Sequence, residues 1–267
     1  MDSSLANHFR AWQWTGASDE PCTSLPLTDR GFRYGMSVFE SLRVSKGVPE
    51  FFERHLSRLI QACAERDIAV DEKALAAAET VFEGDGFARL SVTAGDGSPA
   101  SAADQPRILA FIEDRRPPNH EDPWEITFHD ETYYAPFGGM KTGNYWFNCE
   151  ALALARRKKF DETLLFNERA ELVSASMANI FIVHDDRILT PPRGSGARMG
   201  VIREWVVKRR KVEERRLRRE DVLSADEIFL TNSWIGVMPV ATVEGRPLGP
   251  RDVGPRLAAE LERRRSE

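Results

Sequence analysis

Alternating and helically spaced apolar positions divide this chain into many short strands and helices. Residues 36–44 (MSVFESLRV) and 48–52 (VPEFF) flank Ser45-Lys46-Gly47 and predict a hairpin closed by a short glycine-bearing turn. In 53–66 (ERHLSRLIQACAER), Leu56, Leu59, Ile60 and Cys63 recur at helical spacing with charges between them. A second helix is expected over 71–83. Strands at 87–94 (FARLSVTA) and 107–113 (RILAFIE) enclose GDGSPASAADQ, a polar loop expected at the surface.

Residues 114–123, DRRPPNHEDP, carry charge and two adjacent prolines without apolar periodicity, so they read as a linker. That divides the chain into a smaller domain at 1–114 and a larger one at 124–267, joined by 115–123. After the linker a strand is expected at 125–134, then a glycine-rich stretch and a helix at about 146–159. Strands follow at 162–167, 171–176 and 179–184, and Asp185-Asp186 turns the chain into 187–190. A glycine-bearing loop (193–200) runs into a helix from 201, with strands near 212–216 and 227–231 and a charged helix at 254–265. Strands and helices mix in both halves. The expected class is α+β with two domains, and the cleft between them is the default place for a ligand.

Composition narrows the function. Hydrophobic residues make up 42% of the chain, enough for a real core, and a net charge of −5 opposes generic attraction to nucleic acid or anionic membrane. Cys22, Cys63 and Cys149 are widely spaced, which fits a reducing compartment better than a disulfide scaffold. No CxxC or Cys/His cluster points to zinc. The N-terminus MDSSLANHFRAWQW has no signal-peptide pattern, and no apolar run approaches the roughly 20 residues that span a bilayer. A soluble, cytoplasmic protein is expected. The basic run 208–219 (KRRKVEERRLRR) offers a nucleic-acid reading, but Glu213 and Glu214 interrupt it and no aromatic is available for stacking. A solvated, salt-bridged face is the better account.

Seven lysines can each be weighed. Lys46, Lys73, Lys158, Lys159, Lys208 and Lys211 all lie in turns or charged runs, where solvation is the rule. Lys141 differs, standing between PFGGM and TGNYWFNCEALALA among glycines, aromatics and apolar residues. Desolvation there would lower its pKa and supply a free amine for Schiff-base chemistry. The local pattern equally allows a snorkelling lysine whose stem packs on Tyr145 or Trp146. Residues 193–203 (RGSGARMGVIR) add a glycine-bearing loop entering a helix, a turn that can aim backbone N–H groups at a phosphate.

Six segments, in this order, resemble the fold-type-IV pyridoxal 5′-phosphate (PLP) enzymes. That group comprises branched-chain and D-amino-acid aminotransferases and aminodeoxychorismate lyase. The segments are DRGFRYGMSVFESLRV (29–44), FFERHLSRL (51–59), KTGNYWFNCEALALA (141–155), SASMANIFIVHDDRILTPP (174–192), MGVIRE (199–204) and FLTNSWIGVMPV (229–240). The resemblance implies a two-domain fold like that of D-amino-acid aminotransferase, with PLP in the interdomain cleft. It makes Lys141 the Schiff-base lysine and Arg58 the arginine that contacts the cofactor phosphate, a task suited to a bidentate guanidinium. Gly200, Val201 and Ile202 match the turn whose amides cradle the same phosphate, and Ser233 matches a position whose hydroxyl can add a bond. Tyr145 falls near the cofactor's phenolic oxygen. Asn179 matches the asparagine of the strand motif, where a structural role is expected. The resemblance also implies a homodimer and a small substrate bearing an amino group.

One position departs from the family. A glutamate five residues before that asparagine binds the pyridine nitrogen and keeps it protonated, and here the position is Ser174. Glu171 lies an odd number of residues away along a strand and should face the other side. A serine cannot hold a full proton on the nitrogen, so the ring is a poorer acceptor for the electrons of the substrate carbanion. That weighs against transamination and less against elimination, where a departing group takes the electrons. The chain length, the ending GVMPV and Ile202 also lean toward the aminodeoxychorismate lyase branch. An aminotransferase acting on a small amino acid or amine, and a PLP binder without turnover, stand as alternatives. Whether Arg30, Arg33, Arg107 or Arg198 reaches a substrate carboxylate is left open by the sequence.

Overall fold

The computed structural model describes residues 9–14, 19–21 and 24–266. The chain divides into two compact units. The first comprises the described residues up to Pro117 together with Lys141–Asn144, and the second comprises Pro118–Met140 with the rest from Tyr145.

The first unit is built on an antiparallel sheet of six strands: β1 (Phe9–Trp14), β2 (Asp19–Pro21), β3 (Ser37–Ser45), β4 (Val48–Pro49), β5 (Gly86–Thr93) and β6 (Ile108–Glu113). Their order is β2-β1-β6-β5-β3-β4. The β3–β4 turn is Lys46-Gly47, both at positive φ (50° and 79°), as a two-residue hairpin turn of the type matching strand twist requires. The strand expected over 48–52 stops at Pro49. Phe51 adopts a left-handed conformation (φ 54°) and starts the helix α2 (Phe52–Ala64) instead. One face of the sheet carries Val38, Leu42, Val44, Ala88, Leu90 and Val92, all buried. Leu56, Leu59 and Cys63 of α2 are buried too, and the helix packs on β3. A short helix, α1 (Arg30–Tyr34), precedes β3, and α3 (Glu72–Ala77) continues into a 3-10 turn where one helix over 71–83 was expected.

Residues 114–123 form no strand or helix. Beyond them, the second unit contains a nine-stranded mixed sheet: β7 (Trp124–Phe128), β8 (Glu162–Phe166), β9 (Leu172–Ala175), β10 (Asn179–His184), β11 (Arg187–Thr190), β12 (Val212–Glu214), β13 (Glu227–Asn232), β14 (Gly236–Val243) and β15 (Arg246–Pro247). The path runs β12-β11-β10-β13-β14-β7-β8-β9, with β15 on β14. Three pairs are parallel: β7–β8, β11–β12 and β7–β14. A helix crosses in the first two, where α4 (Trp146–Arg157) joins β7 to β8 and α5 (Val201–Val207) joins β11 to β12. A short α6 (Arg219–Leu223) precedes β13, and α7 (Val253–Ser266) closes the chain. Ile126, Leu164, Ile180, Ile182, Leu230, Met238 and Val240 form one core cluster. Sequence pattern missed β14: it is buried almost throughout, so no polar alternation marks it, and Pro239 interrupts it.

Cys63 is buried and Cys149 exposed, both as free thiols, while Cys22 lies outside the described residues. Burial alone pushes the Cys63 thiol up to about 12, which makes it inert. Within 208–219, the charges are largely paired: Arg209 and Arg210 with Glu260, and Arg215 with Asp221. Leu217 is buried in the core. Among the described residues no helix is long and apolar enough to cross a membrane.

Candidate active site

In the first unit, Lys141 is the single lysine of seven that is not exposed, and it is half-buried rather than enclosed. Its strand-like segment pairs with the start of β3. The Lys141 carbonyl accepts from the Phe39 amide at 3.0 Å, and the Gly143 amide donates to Ser37 at 2.9 Å. Gly143 is required by this approach, because a Cβ there would meet the Gly35 carbonyl at 2.8 Å. The Lys141 ammonium nitrogen lies 5.0 Å from the centroid of the Phe39 ring.

Glu40, next along β3, is buried among charges. Its Oε2 accepts from His55 Nδ1 at 2.8 Å and its Oε1 from Arg58 Nε at 3.1 Å. Burial pushes this carboxyl up, but the His55 hydrogen bond and the charges of Arg58 and Lys141 outweigh it and hold it at about 2. Arg58 and Lys141 therefore sit in the field of one carboxylate. Sequence reasoning found both cations and overlooked Glu40. The signal was present: alternation puts Glu40 on the same face as Val38, Leu42 and Val44, where a charge is costly without partners.

In the second unit, Tyr145 stands at the start of α4, and its hydroxyl accepts from Arg198 Nη1 at 3.1 Å. Arg198 Nε donates to the Gly139 carbonyl at 3.0 Å. Asn179 opens β10 and donates through Nδ2 to the Arg198 carbonyl at 2.6 Å. A Cβ on Gly200 would meet Asn179 Oδ1 at 2.3 Å, so only glycine allows the loop to lie on this side chain. Asn179 thus fixes the turn that delivers the chain to Val201 and Ile202, whose amides open α5. Ser233 lies in the β13–β14 hairpin loop, where Asn232 Oδ1 accepts from the Trp234 and Ile235 amides.

Ser174 is half-buried on β9, opposite Leu165 of β8. Two acids near it in sequence or strand order are engaged elsewhere. Glu171 accepts from Arg169, Ser195 Oγ and Asn167 Nδ2 at 3.1, 2.8 and 3.2 Å, and the Arg169 bond above all holds it at about 2. Glu162, on β8, accepts from the Thr163, Ser176 and Met177 amides at 2.9, 3.0 and 3.1 Å and from Ser176 Oγ. Its pKa is raised, because burial outweighs these bonds.

The four arginines left open by the sequence separate clearly. Arg30 is fully buried and donates to the carbonyls of Ala94, Gly95, Ser101 and Ala102, which ties down the 94–102 loop. Arg107 bridges Asp29 and Asp96 at 2.8 and 2.7 Å. Arg33 is exposed and lies 4.8 Å over the Tyr34 ring, and Arg198 serves Tyr145. Arg30 and Arg107 are scaffold.

The sequence matches the amino-transferase class IV family over residues 37–243. A putative branched-chain-amino-acid aminotransferase of Methanocaldococcus jannaschii is 27% identical over 254 residues, covering 88% of each chain. Aminodeoxychorismate lyase of Bacillus subtilis is 25% identical over 236 residues, covering 81% of this chain and 80% of its own. The fold is shared with an aminotransferase from Brucella abortus bound to PLP, at a TM-score of 0.83 and 21% identity, covering 97% of this chain and all of the other. The chain belongs to the class IV aminotransferase family and is a PLP-dependent enzyme of the aminotransferase and lyase type.

Proposed function

We propose that this enzyme catalyses a PLP-dependent elimination on an amino-bearing substrate, releasing pyruvate as in the lyase reaction on aminodeoxychorismate. The observation that carries the proposal is Ser174, with Glu162 and Glu171 both bound to other partners. The side chains fit the cofactor chemically. Lys141 supplies an amine for its aldehyde, and Arg58, with the Val201 and Ile202 amides and Ser233, supplies donors for its phosphate. Tyr145, held by Arg198, supplies a hydroxyl for its phenolic oxygen. When bound, PLP draws off electrons from the substrate carbon that carries the amine.

Lys141 has the central chemical task. As a free amine it would take the proton from the substrate carbon that carries the amino group and hand it to the departing group, which leaves as pyruvate. In the lyase reaction pyruvate departs and the ring becomes aromatic, so the departing group absorbs electrons that a protonated pyridine would otherwise hold. Incubation with aminodeoxychorismate should release pyruvate and p-aminobenzoate in equal amounts. Rapid, stoichiometric conversion of the bound cofactor to its pyridoxamine form by one amino donor would overturn the proposal. That second reading, an aminotransferase, is supported by the branched-chain relative at 27% identity.

We also propose a homodimer. Leu27 and Phe32 in the first unit and Tyr134 and Trp146 in the second are more than 60% exposed, a feature of surfaces that meet a partner. Sedimentation should give twice the chain mass of 30.2 kDa; a monomer at micromolar concentration contradicts it.

A further inference from the structure

Glu40 interrupts an apolar face. Its neighbours on that side of β3 are Val38, Leu42 and Val44, each no more than 1% exposed, and an aliphatic residue would fill the position without desolvating a charge. A buried ion pair is weak evidence for stability, because well-packed apolar residues do as well or better. The geometry offers a different reason. Both carboxylate oxygens are assigned: Oε2 to His55 and Oε1 to Arg58 Nε. The two donors lie three residues apart on α2, hence on one face of the helix. His55 is 2% exposed and braces the carboxylate; the carboxylate in turn holds the guanidinium at its inner nitrogen. Capture at Nε fixes the plane of the guanidinium and the direction in which its terminal fork points.

We infer that Glu40, braced by His55, is the positioning residue that orients the Arg58 guanidinium toward the cofactor phosphate. The inference rests on the reading of Arg58 as the phosphate arginine. Arginine earns its place in phosphate recognition through a planar, bidentate fork, and that advantage disappears when the plane swings freely. Glu40 also lies in the field of Lys141, so an effect through that lysine would change PLP and pyridoxal alike, whereas an effect through Arg58 changes PLP alone. Arg58 is partly exposed, with a side-chain accessibility of 27%.

The test compares two probes on cofactor-free protein: PLP, and pyridoxal, which has the same aldehyde and ring without the phosphate. Their affinities are measured by absorbance titration for wild type, Arg58→Ala, Glu40→Gln and the double variant. Arg58→Ala and Glu40→Gln should each weaken PLP about tenfold or more while pyridoxal changes less than about twofold, and the double variant should be no weaker than Arg58→Ala. Glu40→Asp covers the case in which Glu40→Gln does not fold. It keeps the charge but withdraws the carboxylate by one methylene, and it should also lower the PLP-to-pyridoxal preference. If Arg58→Ala lowers that preference and neither Glu40 variant does, the positioning role is wrong and the phosphate reading stands. Full additivity in the double variant likewise overturns it. If Arg58→Ala leaves the preference unchanged, the phosphate reading fails and the inference fails with it.

Discussion

On the proposed reading, Ser174 and Lys141 set the chemistry at the level of single residues, and they make opposite demands on sequence reading. The lysine announces itself by contrast with six exposed ones, and the half-burial of Lys141 beside the Phe39 ring agrees with that contrast. The serine is informative only as a departure from a family pattern; no composition or periodicity would single it out. Restoring the acid tests its meaning. Ser174→Glu should speed the amino-donor half-reaction at least about tenfold relative to pyruvate release, because a carboxylate can keep the pyridine nitrogen protonated. Single-turnover absorbance measurements with one amino donor check this. An unchanged ratio of the two rates would show that Ser174 does not choose the reaction. Glu40 was the residue missed: its function is relational, and helix α2 had to be placed on β3 before its partners appeared.

At the scale of elements, β3 and α2 are joined by an ionic clamp as well as by apolar packing. The sign of its pH dependence follows from the Glu40 carboxyl, which lies near 4.5 when unperturbed and at about 2 in the folded chain. A depressed carboxyl contributes stability that is fully present above the unfolded value and is lost as pH falls toward the folded one. The window is therefore pH 4.5 down to 2, and the amount is on the order of 3 kcal/mol. Denaturant unfolding of wild type should lose stability steeply across that window, and Glu40→Gln should lose less by about this amount. Equal slopes for the two proteins would remove Glu40 from the account. Helices and strands with clear periodicity, such as α2, β5 and β10, were legible in the sequence. Short or fully buried ones were not: α1 has five residues, and β14 shows no polar alternation. Phe51 shows the limit at boundaries, where a left-handed residue ends an apolar run that reads as strand.

For the molecule as a whole, the residues proposed for the chemistry divide between the two units. The first contains the candidate residues Lys141, Arg58 and Glu40, and the second contains Tyr145, Asn179, the turn at Gly200 and Ser174. Lys141–Asn144 belongs by its contacts to the first unit although it follows the linker by more than a dozen residues, a partition that hydrophobic patterning has no means of showing. The same segment carries Lys141, the residue proposed to hold the cofactor. The most direct test is to reduce the PLP-loaded protein with borohydride, digest it and locate the modified peptide by mass. The account predicts a phosphopyridoxyl group on Lys141, and none in the Lys141→Ala variant. Modification of a different lysine, or of none, would contradict it.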